Sequence, residues 1–351
     1  MKLNSILKGA LALISLPLAL AANSFSASDL YYAAGLTVDQ QHTLLSGLQS
    51  AGVKVLRVWL DGQSGSVKGT PINGFNSLEG SSPASWDDTV LNRLDDFMAN
   101  AHGYNALAAN ADFYGKWYGT GDFYTNSAAI GYFKNRIAHV MAHVNPHNGK
   151  PWSQSSEYIF AFEAQNEAMH DQENPTALQS WQCTMAQVIK DNLKGSTSIL
   201  VSTGGGAWLA NSLLDGYFSC VAMDVLAIHA YGVGDFATSA LKPYVSRAQQ
   251  AGKKLIMQEW GACYTTASNN NCNGGSPLNS ATRDTNIKNW AASITAAGIP
   301  WFYWQILPNE DPHQDWDYEV GIGGVNWNTL KTAGLAAGQA QAAFDFSKWL
   351  L

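Results

Sequence analysis

The sequence has little charge, and the charge that it has is acidic rather than basic. Only 13% of the 351 residues are Asp, Glu, Lys or Arg, and 20 basic residues stand against 27 acidic ones, a net charge of −7. Proteins that bind nucleic acid neutralise its phosphates with a basic surface, which this composition does not provide. Nucleic acid is therefore excluded as a partner, whereas a neutral polymer is compatible with the low charge and the 13 Trp.

An apolar run long enough to span a membrane is also missing from the sequence beyond its N-terminus. At the N-terminus itself, two lysines accompany the short apolar run Leu11–Leu20, and Ala19-Leu20-Ala21 fits a small-residue cleavage site. This pattern is typical of a signal peptide. We therefore expect residues 1–21 to be removed and residues 22–351 to form one secreted domain that is not attached to a membrane.

Cysteine is scarce, because Cys183, Cys220, Cys263 and Cys272 are the only four. Export to an oxidising compartment makes disulfides the default, and four cysteines allow three connectivities. The most economical pairing is Cys183–Cys220 with Cys263–Cys272, where the second bridge closes a short loop rich in Asn and Gly. Zinc binding is the alternative, but none of the spacings is Cys-x-x-Cys.

Motifs of several enzyme classes are absent. The sequence has no Gly-x-Ser-x-Gly of a serine hydrolase and no His-Glu-x-x-His of a zinc protease. The Gly-rich stretch Ser202–Gly206 lacks the Lys-Ser/Thr of a phosphate-binding loop. Three histidines at helical spacing, His139, His143 and His147, favour a solvated helix face over a metal site. We predict no cofactor and no metal.

Stretches of β-type and helical sequence alternate along nearly the whole chain, without a linker or a repeat. Several β-type runs are continuously apolar, as in parallel strands that are buried on both faces. This alternation predicts an α/β fold, a single-domain (β/α)8 TIM barrel, with a doubly wound open sheet as the alternative. The predicted strands are Leu30–Ala34, Val53–Leu60, Tyr158–Asn166, Ser198–Thr203, Val225–Tyr231, Lys254–Trp260 and Pro300–Ile306. The predicted helices include one that follows a capping box at Thr37-x-x-Gln40, and Ala177–Asn192, Ala237–Gln250, Ala281–Ala297 and Thr329–Phe344.

One strand of the expected barrel is weak. The segment Tyr104–Phe113, where the third strand belongs, contains no Val or Ile, and its residues Ala106–Ala109 prefer helix. We therefore expect that a stretch of about 5–10 residues is missing here, with a poor but complete strand as the alternative. A deletion would expose the edges of the neighbouring strands and leave the chain marginally stable or inactive.

Two predicted strands end in carboxylates. The run Tyr158–Glu167 ends in Asn166-Glu167, and the run Lys254–Trp260 carries Glu259. In a parallel barrel the active site lies at the carboxyl ends of the strands. Hydrolysis of an acetal needs such a pair, because one carboxyl group donates a proton and one carboxylate attacks. A single glutamate of this kind would more simply cap the next helix, but two of them favour catalysis.

Polar residues on two further strands suit the same site. Arg57 lies within the run Val53–Leu60, where it needs a buried partner. A catalytic carboxylate would be such a partner, and Arg57 would keep it ionised by lowering its pKa. His229 and Tyr231 are two residues apart on a strand and therefore share one face. A structural ion pair and a buried core histidine are the alternatives.

Aromatic residues supply candidate sugar platforms, since an aromatic ring packs well on the C–H face of a sugar. The strand Pro300–Ile306 places Trp301 and Tyr303 on one face and Trp304 on the other. Core packing is the alternative for some of these rings. Further aromatic residues that could extend the cleft are Trp59, Trp117, Tyr118, Trp260 and Trp316.

The order of these residues along the chain resembles glycoside hydrolase family 5, a family of retaining (β/α)8 glycosidases. The resemblance spans nearly the whole mature chain and rests on Arg57, Asn166-Glu167, His229-x-Tyr231, Glu259 and Trp304. It implies that Glu167 is the acid/base and Glu259 the nucleophile. It also implies that Asn166 bonds the sugar 2-hydroxyl, that Tyr231 contacts the nucleophile, and that Trp304 forms the floor beneath the sugar whose bond is broken.

Family 5 contains β-mannanases, endoglucanases and β-1,3-glucanases. Leu30-Tyr-Tyr-Ala-Ala34, Leu56-Arg-Val-Trp59 and Tyr303-Trp-Gln305 are most similar to fungal β-mannanases, whereas Asn166-Glu-Ala-Met169 stands where Asn-Glu-Pro is usual. The resemblance therefore implies a hydrolase whose polysaccharide substrate is β-1,4-mannan, with β-glucan as the alternative. We also expect the enzyme to be a monomer. A catalytically silent carbohydrate-binding cell-wall protein is the alternative from another class, and it would have lost one of the two carboxylates.

Overall fold

Parallel strands that are buried on both faces form the centre of the fold. The computed structural model describes residues 22–102, 122–168, 174–272 and 274–350. The strands of its main sheet are β1 (Ser26–Asp29), β2 (Val53–Arg57), β3 (Ala161–Glu163), β4 (Leu200–Ser202), β5 (Val225–His229), β6 (Lys254–Trp260) and β7 (Trp301–Tyr303). Within the described residues these seven strands pair in the order β2-β1-β7-β6-β5-β4-β3, and every pairing is parallel.

Helices separate consecutive strands along the chain, as an all-parallel sheet requires. They are α1 (Val38–Ser50), α2 (Thr89–His102), α3 (Ser127–Ala142), α4 (Pro175–Asn192), α5 (Leu209–Ser212), α6 (Asp215–Ser219), α7 (Thr238–Gln250), α8 (Ser280–Ala297) and α9 (Trp327–Gln339). The predicted capping box is present before α1, where the side chains and backbone N–H groups of Thr37 and Gln40 bond reciprocally. In the part of the chain that the structure describes, no helix combines the length and apolarity needed to cross a bilayer.

The first strand lies earlier in the chain than the sequence predicts. The apolar run Leu30–Ala34, which we predict as a strand, instead follows β1 and leads into a short 3-10 turn. The residues of β1 are small and three of the four are polar, but their backbone pairs with β2 on one side and β7 on the other. Asp29 at the end of β1 also forms an ion pair with Arg57. A search for apolar runs does not find this strand, because its position depends on backbone pairing with two neighbouring strands and on the buried ion pair of Asp29.

The predicted weak third strand lies outside the described residues. Strands β2 and β3 are the two end strands of the described sheet, and the segment Tyr104–Phe113 falls between them in sequence. Two of the candidate cleft residues, Trp117 and Tyr118, fall outside the described residues as well. The partly missing strand therefore stays a prediction.

Both disulfides have the pairing that is most economical in the sequence. Cys183 of α4 is bonded to Cys220, which directly follows α6. The bridge Cys263–Cys272 closes the loop after β6. This second bridge packs with Tyr318 in a small buried cluster, so that it supports the loops at the carboxyl end of the sheet.

The three histidines at helical spacing form contacts between two helices. Each histidine lies on α3 or follows it, and each contacts a carboxylate on α2 or directly before it. The predicted solvated face is therefore wrong for His139 and His143, while His147 and its partner remain exposed. The pairs are His139–Asp88 at 2.7 Å, His143–Asp95 at 2.7 Å and His147–Asp96 at 2.9 Å.

Candidate active site

Charged side chains converge at the carboxyl ends of five strands. Because the strands are parallel, these ends meet at one edge of the sheet. Asp29, Arg57, Glu163 and His229 are the last residues of β1, β2, β3 and β5, and Glu259 is the last but one of β6. All five are buried. Charges at such depth are stable only when they are paired and hydrogen-bonded.

The two predicted catalytic glutamates are brought together from different strands. Glu167 lies beyond the end of β3 in a left-handed backbone conformation, with φ at 41°, and its N–H donates to the carbonyl of Gly204 at 2.9 Å. One oxygen of Glu167, one oxygen of Glu259 and one ring nitrogen of His229 all lie within 4.8 Å of one another. The Glu167 side chain is 20% exposed and the Glu259 side chain 5%. One carboxyl group therefore faces solvent while the other lies deep in the site.

Arg57 is the centre of the buried charge network. Its guanidinium donates to Glu259 Oε1 at 2.6 Å, to Glu163 Oε1 at 2.7 Å and to Asp29 Oδ1 at 3.2 Å. It also donates to Asn166 Oδ1 at 2.6 Å. The ion pair expected between Arg57 and a strand-end glutamate is thus present. Arg57 binds three carboxylates, however, whereas the sequence led us to expect a single carboxylate partner.

Two members of this network, Asp29 and Glu163, are missed by the sequence analysis. Asp29 is missed because the first strand is predicted too late in the chain. Glu163 lies inside the apolar run Tyr158–Glu167, where a charged residue is itself a signal. Alternation along a strand places Glu163 on the same face as Glu167, so this periodicity could have identified it.

Burial raises the pKa values of two carboxyl groups of the network, those of Glu259 and Asp29. Burial raises the pKa of Glu259 above its ordinary value, although the charges of His229 and Arg57 lower it. Burial likewise raises the pKa of Asp29 against the opposing effect of Arg57. The expectation that Arg57 holds the pKa of Glu259 low is therefore wrong in its net direction, because desolvation outweighs one shared cation.

Tyr231 supplies Glu259 with a second donor. Its hydroxyl donates to Glu259 Oε2 at 2.9 Å, as the family resemblance implies. Burial, followed by the charge of Glu259, raises the pKa of Tyr231 well above its ordinary value, so the phenol keeps its proton and remains a donor. The two Glu259 oxygens are thus bound separately, one by Arg57 and one by Tyr231.

A chain of hydrogen bonds fixes the tautomer of His229. The carboxylate of Glu163 is only an acceptor, so Gln258, which bonds Glu163 Oε2 at 2.6 Å, must present its NH2 group there. Gln258 Oε1 consequently faces His229 Nε2 at 2.9 Å and requires a proton on that nitrogen. The other ring nitrogen, Nδ1, lies 2.9 Å from Glu167 Oε1.

The contact between Glu167 and His229 therefore holds one proton. Either a protonated Glu167 donates to Nδ1 of a neutral ring, or a cationic ring donates to an ionised Glu167. Burial lowers the pKa of His229, but the negative charges of Glu259 and Glu167 outweigh burial and raise it overall. A transferable proton is thus kept beside the more exposed carboxyl group.

The glycine-rich stretch Ser202–Gly206 makes this contact possible. A Cβ atom on Gly205 would lie 2.2 Å from the His229 ring, and Gly205 has a φ of +68°. A Cβ atom on Gly204 would lie 1.9 Å from the carbonyl oxygen of Gln165. Only glycine permits the backbone to approach the His229 ring and the Gln165 carbonyl so closely, which explains the Gly-rich stretch Ser202–Gly206.

Three aromatic rings form a wall beside the carboxylates. The Trp304 ring stacks on Tyr31 at 6.1 Å with an interplanar angle of 14°, and Trp59 meets it edge-on at 5.5 Å. The Arg57 guanidinium lies 4.1 Å above the Trp59 ring. Trp304 is only partly buried, which fits the sugar platform that we predict from the sequence.

Trp260 does not line the cleft. It is fully buried and packs edge-on against Trp301 and Tyr303 at 5.3 and 5.1 Å. The expectation that Trp260 contacts substrate is therefore wrong, and its role is to support β6 from the core. Trp316 is 53% exposed, so its ring is available at the surface.

Several solved glycoside hydrolases have the same fold. The endo-1,4-β-mannanase from Rhizomucor miehei superposes with a TM-score of 0.70 and 18% identity, over 90% of this chain and 95% of that chain. The hyperthermostable endo-1,4-β-D-mannanase from Thermotoga petrophila has a TM-score of 0.67 and 17% identity, over 89% and 99%. An endoglucanase from Pseudomonas stutzeri has a TM-score of 0.59 and 12% identity, over 92% and 97%. These likenesses confirm the predicted barrel class of fold.

The family resemblance has independent support. A search among curated protein sequences returns no match. The family model described as cellulase (glycosyl hydrolase family 5) matches residues 21–310, which is most of the chain and includes both strand-end glutamates. The chain belongs to glycosyl hydrolase family 5 and is a glycoside hydrolase.

Proposed function

We propose that Glu167 and Glu259 carry out retaining hydrolysis of a β-linked polysaccharide, with Glu167 as acid/base and Glu259 as nucleophile. The observation that carries this proposal is the approach of their oxygens to within 4.8 Å. Carboxyl groups of retaining glycosidases lie about 5–5.5 Å apart, whereas inverting enzymes keep them about 6.5–9.5 Å apart to admit a water molecule. The short separation favours direct attack by one carboxylate.

In the first step, protonated Glu167 transfers its proton to the glycosidic oxygen, and the bond from that oxygen to the anomeric carbon breaks. Glu259 attacks the anomeric carbon and forms a glycosyl ester. In the second step, ionised Glu167 takes a proton from water, and the water oxygen displaces Glu259. The contact with His229 supports this double use, because it binds either protonation state of Glu167.

The partners of Glu259 support its role as nucleophile. Arg57 and Tyr231 each bond one carboxylate oxygen, which orients the group and favours its ionised form. Asn166 Oδ1 accepts from Arg57, so its NH2 group is turned away as a donor. We propose that this donor bonds the sugar 2-hydroxyl, while Trp304 lies beneath the same ring.

We propose β-1,4-mannan as the substrate. Two of the solved structures that share this fold are described as endo-1,4-β-mannanases, which agrees with the sequence motifs around Trp59 and Trp304. β-Glucan is the second candidate, favoured by the description of the matching family model and by the endoglucanase structure.

We further propose that the enzyme acts outside the cell, as a monomer built from one catalytic domain at residues 22–351. The pattern of the first 21 residues is that of a signal peptide. Two disulfides, Cys183–Cys220 and Cys263–Cys272, suit an oxidising compartment.

Reducing-sugar release from mannan, glucomannan, a soluble cellulose derivative and laminarin tests the proposal. We expect the fastest release from mannan, and Glu259→Gln as the matched control should release none. NMR of the first products should show the newly formed end as the β-anomer. Faster release from the cellulose derivative would move the substrate to β-glucan. An initial α-anomer would contradict retention, and binding without release from any polymer would favour the silent carbohydrate-binding alternative.

A further inference from the structure

We infer that the loop after β7 contains a binding site for one divalent cation of the Zn²⁺ or Mn²⁺ type. Its ligands are Asp311, His313 and Asp317, none of which takes part in the proposed hydrolysis. One oxygen of each aspartate and one ring nitrogen of the histidine lie within 4.8 Å of one another. A metal site here departs from the prediction, made from the sequence, that the protein binds no metal.

The spacing of the three side chains suits a small cation. His313 Nδ1 lies 3.0 Å from Asp317 Oδ2 and 3.2 Å from Asp311 Oδ2. Neighbouring ligands of an ion with bonds of about 2.0–2.2 Å are separated by about 2.8–3.1 Å in octahedral geometry and about 3.3–3.6 Å in tetrahedral geometry. The donors are therefore nearly in place before an ion binds.

The two aspartates of the cluster are buried and incompletely hydrogen-bonded. Asp311 is 8% exposed and Asp317 is 4% exposed. Among the described residues, none donates a hydrogen bond to Asp317 Oδ1, and Asp311 Oδ2 has the 3.2 Å contact with His313 Nδ1 but no well-aligned hydrogen bond. A buried carboxylate oxygen without a donor is unfavourable, and a bound cation would remove this defect.

Nearby basic side chains have other partners. Lys68 Nζ contacts Glu319 Oε1 at 3.0 Å. The guanidinium of Arg283 donates to the backbone carbonyls of Ala262 and Glu319, at 3.0 and 2.7 Å. Neither cation therefore neutralises the two aspartates by direct contact, and negative charge remains at the cluster.

The surroundings hold the ligands in place and leave room for water. The His313 ring stacks on Tyr264 at 3.4 Å with an interplanar angle of 6°, and the Tyr264 N–H donates to the carbonyl of Asp317 at 2.9 Å. A cavity of about 260 Å³ adjoins the cluster and is lined in part by Asp311 and His313. Water in this cavity could complete the coordination of an ion with three protein ligands.

The ligand types select the ion. Imidazole together with carboxylates suits Zn²⁺ and Mn²⁺, whereas Ca²⁺ and Mg²⁺ prefer oxygen ligands alone. An ion here would tie the loop after β7 to Tyr264, which directly follows the bridged Cys263. Tyr318, next to Asp317, packs on Tyr231 at 4.6 Å. The cation would thus stabilise the loops that border the active site.

A shared proton is the competing explanation of the cluster. Burial and the neighbouring charge of Asp311 raise the pKa of Asp317 to about 8, so the metal-free pair can retain a proton at neutral pH. Both explanations remove the repulsion between the aspartates, but only one of them requires a metal. Direct measurement of metal binding separates them.

The test uses the full-length enzyme after removal of metals with a chelator. Binding of Zn²⁺, Mn²⁺ and Ca²⁺ is measured by titration calorimetry at pH 7.5, and the melting temperature is measured with each ion. We expect one Zn²⁺ or Mn²⁺ per chain and a melting temperature raised by roughly 3–6 °C at a hundredfold excess over Kd, with a smaller response to Ca²⁺. Absence of saturable binding of both Zn²⁺ and Mn²⁺ would overturn the proposal.

Variants locate the bound ion. Asp317→Asn and His313→Gln should lose binding and the thermal response while remaining at least as stable as the metal-free parent. Asp315→Asn, in the same loop but exposed, is the matched control and should behave as the parent. Binding retained in both ligand variants would assign the ion to the other carboxylate–histidine group, Glu167 with His229, and would overturn the proposal. His313 is exposed, so His313→Gln carries the test if Asp317→Asn does not fold.

Discussion

The surroundings of Glu259 and Glu167 differ although the two side chains are identical. Glu259 lies within a central strand, nearly inaccessible, with each of its oxygens bound by a separate donor. Glu167 lies beyond the end of a strand, is four times as exposed, and contacts an imidazole that can either donate or accept. Environment rather than residue type thus distinguishes Glu259, the proposed nucleophile, from Glu167, the proposed acid, which must change its protonation state.

The largest effect is expected when either carboxyl group is replaced by an amide. Glu259→Gln removes the nucleophile, and we expect no measurable turnover of any substrate. Glu167→Gln removes acid/base assistance, which contributes about 10²–10⁴-fold to the rate. For a substrate with a good leaving group, the first step needs little protonation, so the loss of rate in that step should be much smaller. Rates on mannan and on an aryl glycoside with an activated leaving group provide the measurement. Rescue of Glu259→Gln alone would reverse the assignments, and equal rescue of both variants would contradict them.

Removal of Arg57 should lower stability as well as activity. Arg57→Met leaves three buried carboxylates without their cation, and breaking a buried pair costs about 3–5 kcal/mol. Arg136, buried and paired with Glu79 outside the site, is the matched control. Denaturant unfolding should show a comparable loss of stability in Arg136→Met, but only Arg57→Met should change the pH dependence of kcat/KM. An unchanged pH profile in Arg57→Met would show that Arg57 does not affect the ionisation of Glu259.

The acidic limb of the pH profile should report Glu259. Because burial raises its pKa, and because the nucleophile must be ionised, activity should be present above that pKa and lost as the pH falls through it, at a pH above the ordinary 4.5. Tyr231→Phe removes a hydrogen bond to the ionised form, so the limb should move to higher pH by about one unit. The measurement is kcat/KM against pH. A limb at the same pH in both proteins would show that Tyr231 does not support the charge of Glu259.

The smallest effect is expected at Gln258, which fixes the tautomer of His229. Gln258→Leu frees the ring to carry its proton on Nδ1, where a neutral ring would donate to Glu167 and favour the ionised carboxylate. The basic limb of kcat should then move to lower pH, with a loss of about tenfold at most near neutral pH. Because Gln258 is buried, KM should not change. A change in KM with an unaltered pH profile would indicate a structural role only.

The convergence of Glu167 and Glu259 could be predicted from the sequence because both glutamates stand at the ends of apolar runs. Arg57 and the pair His229 and Tyr231 follow from the same rule. Trp260 shows a misapplied rule, since alternation along β6 turns it away from the face that carries Glu259. The face that carries Trp260 is packed in the core, so the periodicity of the strand alone could have excluded Trp260 from the cleft.

Other parts of the site depend on pairing that a single sequence does not reveal. Asp29 is the last residue of a strand of small residues, and this strand is held by backbone pairing with two neighbouring strands. Gln258 acquires its role only when Glu163 and His229 are brought to its two ends. The Asp311–Asp317 cluster lies in a loop without helix or strand, so no helical or strand periodicity in the sequence predicts that its members lie close together.

Covalent labelling of the nucleophile tests the central claim most directly. A 2-deoxy-2-fluoro glycosyl fluoride of the sugar that the enzyme accepts forms the glycosyl ester with a retaining enzyme and releases it slowly, so that peptide mass spectrometry can locate the label. The account predicts one label per chain, on Glu259, and none in Glu259→Gln. A label on Glu167, or unlabelled enzyme that hydrolyses the reagent, would contradict it.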